Sequence, residues 1–372
     1  ADSNHNVSPA RLAHDDAPMP RAGTRTPVGL RQLLVFADHH APGLVLARAR
    51  RSRARAELLA AEILLPQNPQ TSLAVGPRIT GDGAALDLQL NISQAIPIGG
   101  QRGFRREAAK RLWALSAAQA ADAAWQLRRA IVSAYFRVLA AASELEITKQ
   151  QRAFAQELST IANKRLKAGA ISPLQPKLAE VEVQQAQQAV LVAKGNLLGQ
   201  RIALATLVGW PTDKPPVVRG AFRQPIALPP ASELAALATS RQPAIMARRR
   251  QVELARARLD LARRSAWPNP SVGLSYQLEG DPSGAGVEQH VLFFTLGVGL
   301  PLWRRNQGAR ARARADLLVA KAEAKVAQQR LAARVSRALA AVRAAEARLR
   351  LFEGKILPSY DKNLKLLRRA FE

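Results

Sequence analysis

Cysteine is absent from the 372 residues. That excludes disulfides, thiolate metal sites and a lipid-modified cysteine within the sequence as it stands. No run of 18 or more apolar residues occurs, so no ordinary transmembrane helix is expected. A β-barrel is untouched by that test, because its strands are short and alternate. Acidic residues are scarce: 28 Asp and Glu stand against 55 Lys and Arg, a formal charge of +27. In a soluble protein such an excess points to nucleic acid or an anionic membrane surface. Here the basic residues are spread along Ala-rich and Leu-rich segments instead of forming one block, the pattern of solvated helix faces. The stretch 1–25 is polar, contains proline and lacks an apolar h-region, so any secretory signal has been removed or was never present.

Catalytic motifs are missing too. No spacing fits a zinc protease, a P-loop or a nucleophile elbow, and Gly99-Gly100-Gln101-Arg102-Gly103 is too irregular for a dinucleotide loop. The five histidines are His5, His14, His39, His40 and His290. His39-His40 beside Asp38 offers metal-binding atoms, but adjacent helical residues diverge by about 100° and ligate together poorly, so a solvated helix end is expected there. Neither an enzymatic activity nor a cofactor is expected.

What is present is an internal repeat. Pro42 and Pro69 stand 27 residues apart, as do Pro243 and Pro270, and each pair encloses a basic, Ala-rich helical segment. Pro66-Gln67-Asn68-Pro69 answers Trp267-Pro268-Asn269-Pro270, and Ile96-Pro97-Ile98 answers Leu300-Pro301-Leu302. The offset grows from 201 to 204 between these tags, which places a longer hairpin turn at Gly280–Val287. At offset 204, Leu127, Ile131, Ala134, Val138, Ala141 and Leu145 answer Leu331, Val335, Ala338, Val342, Ala345 and Leu349. Their spacings alternate 4 and 3, the rhythm of a coiled-coil seam.

The expected organisation is mainly α with a small β part. After the tail 1–25, a first repeat over 26–208 holds a helix, a β-hairpin over 70–98, a long helix over 102–167 and a return helix over 173–208. A Pro-rich linker, 209–230, leads to a second repeat over 231–372 with a helix, a hairpin over 271–302 and a long helix over 308–371. Each long helix would run roughly 90 Å.

The strands alternate strictly. Leu86, Leu88, Leu90 and Ile92 interleave with Asp87, Gln89, Asn91 and Ser93; Leu292, Phe294, Leu296 and Val298 form the apolar face of the matching strand. Leu73, Val75, Val272, Leu274, Tyr276 and Leu278 are their expected partners. A half-buried sheet in a soluble sandwich gives the same alternation. Two hairpins, however, supply too few strands to bury their own apolar faces or to close a barrel, so they would have to pair with other subunits.

The ordered set of helix, Pro-Asn-Pro, hairpin, Pro and long helix, present twice, resembles the TolC-type outer membrane factor family from about Thr26 onward. Gln94–Arg102 and Leu300–Gly308 look like the strand-to-helix junctions of its heavy-metal, cobalt-zinc-cadmium branch. The resemblance implies a homotrimer in the bacterial outer membrane, in contact with its lipid, with a 12-stranded barrel continued by an α-helical tunnel across the periplasm. It also implies two partners, a periplasmic adaptor and an inner-membrane resistance-nodulation-division pump. Lys164–Leu174 resembles the periplasmic tip, so Arg165, Leu166, Gly169, Ser172, Pro173 and Leu174 are the expected adaptor-docking residues. Glu180 and Glu182 are candidates for an acidic constriction. Arg369–Glu372 corresponds to Lys164–Lys167, so the sequence stops two residues before the expected second tip glycine, without a second return helix. A soluble basic scaffold or nucleic-acid-binding protein is the alternative, although no nucleic-acid motif is present and none is expected as a partner.

Overall fold

The computed structural model describes residues 26–81, 83–222, 228–281, 289–360, 362, 363 and 366. Among these described residues seven α-helices and four strands succeed one another in the order α1 (Leu30–His40), α2 (Pro42–Glu62), β1 (Gln70–Thr80), β2 (Gly83–Ala95), α3 (Gln101–Lys167), α4 (Leu174–Val208), α5 (Ala231–Arg241), α6 (Pro243–Arg264), β3 (Ser271–Glu279), β4 (Gln289–Gly297) and α7 (Gln307–Leu351). At 67 residues α3 is about 100 Å long. The tail 1–25, most of the turn expected at Gly280–Val287 and the end beyond Leu366 lie outside the described residues.

Where one helix was expected at the head of each repeat, there are two. Ala41 (ψ 126°) and Gln242 (ψ 125°) are extended, and a new helix starts at the following Pro42 or Pro243. The cause is local: the proline ring excludes the α conformation from the preceding residue, while its fixed φ suits a first helical position.

The chain forms two compact units, Ala1–Arg48 with Ala123–Ile226 and Ala49–Asp122 with Ala227–Glu372. In the first, α1, the middle of α3 and the end of α4 share one core. Leu33, Ile131, Val138, Leu204 and Val208 are fully buried in it, each worth about 2 kcal/mol relative to exposure. The heptad seam of α3 supplies this core through Ile131, Ala134, Val138 and Ala141. The Pro-rich segment after Gly209 is anchored here as well. Trp210 donates its indole N–H to the Lys214 carbonyl at 3.0 Å, Val28 bridges to Val218 in parallel, and Tyr135 donates its hydroxyl to the Arg219 carbonyl. Asp38 pairs with Arg128 at 2.9 Å, while His40 stacks on Phe36 and bonds its carbonyl at 3.0 Å.

In the second unit the strands form one antiparallel sheet in the order β1-β2-β3-β4. The tags found in the sequence form its junction with the helices. Ile96 N–H donates to the Pro270 carbonyl at 2.7 Å, and buried Gln101 donates to Asn269 Oδ1 at 3.0 Å. A Cβ on Gly99 would collide with Trp267, so the first glycine of the pair is there for close approach. Asn306 sits in the left-handed region (φ 56°) and donates to the Ala262 carbonyl at 2.8 Å, tying the start of α7 to the end of α6. Farther along, Arg111 bridges Glu107 (2.7 Å) and Glu253 (2.9 Å), and Arg250 also holds Glu253. Partial burial pushes the Glu253 carboxyl up, but the hydrogen bonds and charges of Arg250 and Arg111 outweigh it and hold the group below the usual carboxylate range.

The long helix expected over 308–371 is regular through Leu351 and then widens into a π turn, Phe352–Ile356. The turn comes just before Pro358, whose ring would crowd the carbonyl four residues back in a regular α-helix. The seam of α7 differs from that of α3. Leu331 is buried, but Val342 (39%) and Leu349 (42%) are exposed, because among the described residues nothing covers them.

Candidate functional site

Directly opposed residues of an antiparallel ladder share a face, so the register sorts the sheet into two. Leu73, Leu90, Tyr276 and Leu292 are aligned across all four strands, and so are Thr71, Ile92, Leu274 and Phe294. Val75, Leu88 and Leu278 join them, as do Pro77 with Leu86 and Val272 with Leu296. Every apolar residue expected on one side is therefore on one side, except that Val298 lies just past the end of β4, half exposed. The other face carries Arg78, Asp87, Gln89, Asn91, Ser275, Gln277 and Glu279.

Burial runs opposite to that of a soluble sheet. Leu73 (63%), Leu86 (64%), Phe294 (87%) and Leu296 (75%) are exposed, Leu88 is intermediate, and buried Ala85 and Ser275 belong to the polar face. The sheet thus leaves its oily side bare, while on the polar side only the small Ala85 and Ser275 are buried, Gln89 and Phe293 are exposed and most others are half-buried, an arrangement that water does not favour. Among the described residues no strand pairs with the outer edges of β1 and β4.

The polar face holds a network that alternation alone does not reveal. Arg78 contacts Asp87 at 3.4 Å and Glu279 at 3.1 Å and donates to the Gly280 carbonyl at 2.7 Å. Gly280 N–H donates to Asp87, and Gln277 donates to Glu279. Placing Arg78 and Asp87 on one face needs only the hairpin; bringing Glu279 to them requires the β2–β3 pairing, which has no local signal.

The helical tip lies in the first unit. Helix α3 ends in a reversal where Ala170 N–H bonds the Arg165 carbonyl and Gly169 N–H bonds the Leu166 carbonyl, both at 2.9 Å. Gly169 takes φ 71°, the left-handed closure that glycine supplies at least cost. Ser172 Oγ accepts from Leu174 N–H, and α4 starts immediately after Pro173. Arg165, Gly169, Ser172, Pro173 and Leu174 are exposed and Leu166 is half-buried. Glu182 lines a groove of about 690 Å³ with Phe154, Leu158 and Leu178. Glu180 is exposed on the same helix.

Residues 37–210 and 234–372 match the outer membrane efflux protein family. The chain belongs to that family. Its place is therefore the outer membrane. It is 27% identical over 222 residues to the cobalt-zinc-cadmium resistance protein CzcC of Cupriavidus metallidurans, a match covering 59% of this chain and 51% of that protein. The chain thus spans about half the length of this curated relative. Its fold is that of a membrane protein from Pseudomonas aeruginosa (TM-score 0.70, 22% identity, 92% of this chain and 83% of that one). It is also that of the outer membrane protein VceC from Vibrio cholerae (TM-score 0.67, 17% identity, 89% and 83%).

Proposed function

We infer that this outer membrane efflux protein is the exit duct of a three-part export system, a passive conduit rather than an enzyme. Three copies pair edge strand β4 of one with β1 of the next, and their four-stranded sheets close a barrel of twelve. The bare apolar face then meets lipid and the polar face lines a water-filled lumen, which satisfies both sides and removes both edges. One observation carries this reading: an apolar face that the chain itself leaves uncovered, between two unpaired edges. In the proposed system an inner-membrane resistance-nodulation-division pump supplies the energy and a periplasmic adaptor docks at the tip around Arg165, Leu166, Gly169, Ser172, Pro173 and Leu174. The likeness to CzcC supports heavy-metal ions as the exported class.

The test is reconstitution of the purified full chain into planar bilayers. Ion conductance together with a heat-sensitive trimer on a gel is expected. A water-soluble monomer with Leu88 and Leu296 shielded from lipid-phase probes would overturn the reading.

A further inference from the structure

A passive duct has no evident use for so much positive charge, and in the second unit that charge is unevenly placed. Helix α2 carries four arginines between Arg50 and Arg55 ahead of its next acid, Glu57, and α7 carries Arg310, Arg312 and Arg314 ahead of Asp316. Helix α6 ends on Arg263-Arg264, and the first two turns of α3 hold three more arginines. Each segment lies within a few turns of the helix end nearest the sheet. Between them and the strands stand Trp267 and Trp303, 55% and 83% exposed, in the position of the aromatic girdle that borders a barrel's apolar band.

Within this basic collar α2, α3 and α6 line an open groove of about 320 Å³. Arg105 and Arg258 line it with a single carboxylate, Glu57, and Ala108, Leu112 and Leu261 form its apolar wall. Neighbouring arginines are engaged elsewhere: Arg51 lies over the Trp113 ring, and Arg102 donates to the Glu62 carbonyl. Arg105 differs, because its Nε and Nη2 are buried with no hydrogen-bond partner. Buried donors left unmatched call for a partner, and Nε with Nη2 is the two-pronged edge that takes two oxygens of one phosphate once the side chain turns toward the groove.

We propose that the Arg105–Arg258 groove binds the phosphate of an anionic phospholipid from the leaflet on the helical side of the barrel. The inference rests on the reading that the apolar sheet face lies in lipid. A lipid source is favoured over a free anion because the groove lies within a few turns of the helix ends that lead into the sheet, the collar around it is basic, and its wall is apolar where a glycerol and the start of an acyl chain would lie.

The test uses the full chain reconstituted into bilayers of phosphatidylcholine with or without phosphatidylglycerol, then released for native mass spectrometry. Wild type is expected to retain phosphatidylglycerol and no phosphatidylcholine. Arg105→Gln with Arg258→Gln is expected to lower that retention about tenfold, and Arg105→Lys to restore little of it, because a point charge replaces a two-pronged donor. Arg330→Gln with Arg334→Gln, which removes equal charge farther along α7, is expected to retain the lipid as wild type does, and circular dichroism confirms that each variant folds. Equal retention by the Arg105/Arg258 variant, equal loss in the α7 variant, displacement by millimolar inorganic phosphate, or no lipid retained by wild type each overturns the proposal. Failure to insert into either bilayer overturns the channel reading instead.

Discussion

Gly209 shows how much one residue decides here. It closes α4 at φ 78°, and a Cβ there would overlap the His40 carbonyl oxygen as well as occupy the left-handed region. Gly209→Ala should cost about 2 kcal/mol or more in stability of the first unit, read by chemical unfolding in detergent. Gly169 has a similar φ of 71° with open space around it, so its alanine variant should cost only about 1 kcal/mol. Glu253 carries a pH signature. Its carboxyl is held below the usual range, so the stability it contributes is present above the unfolded-state value of about 4.3 and is lost as pH falls through its lower native value. The stability gap between wild type and Glu253→Gln should therefore be constant near neutral pH and close on acidification, as followed by unfolding across a pH series.

At the scale of elements, the strands and helices were legible because their patterns are local. Strict alternation over Leu86–Ser93 reports a strand with two faces whatever surrounds it, and a 4-3 rhythm reports a helical stripe. Proline at 42 and 243 marks where helices begin, but the short helices before them carry no periodic signal of their own, since nothing in the periodicity separates one long helix from two joined at an extended residue. What a stripe packs against is not local. The equivalent seams on α3 and α7 have matching residues, but Ile131 is buried beneath α1 and α4 while Val342 and Leu349 are exposed. Ile131→Ala should accordingly cost about 3 kcal/mol in thermal or chemical unfolding, and Val342→Ala in the isolated chain under about 0.5 kcal/mol.

For the whole molecule, the sheet's bare apolar face is the property that matters, and it gives a paired prediction. Leu90→Arg places a charge on the apolar face and should destabilise the membrane-inserted form by about 2 kcal/mol or more. Gln89→Arg, one residue away on the polar face, should leave insertion nearly unchanged; partitioning into liposomes measures both. By itself the sequence determined most of the elements, the duplication and the two-faced strands, because each depends on backbone sterics and side-chain periodicity within a few residues. Only the tertiary structure decided that β2 pairs with β3 across nearly 200 residues of chain. The same long-range contacts joined Glu279 to Arg78, brought Arg105 and Arg258 to one groove, and buried one seam while exposing its copy. Such contacts depend on which surfaces meet, and a surface has no sequence neighbour to announce its partner.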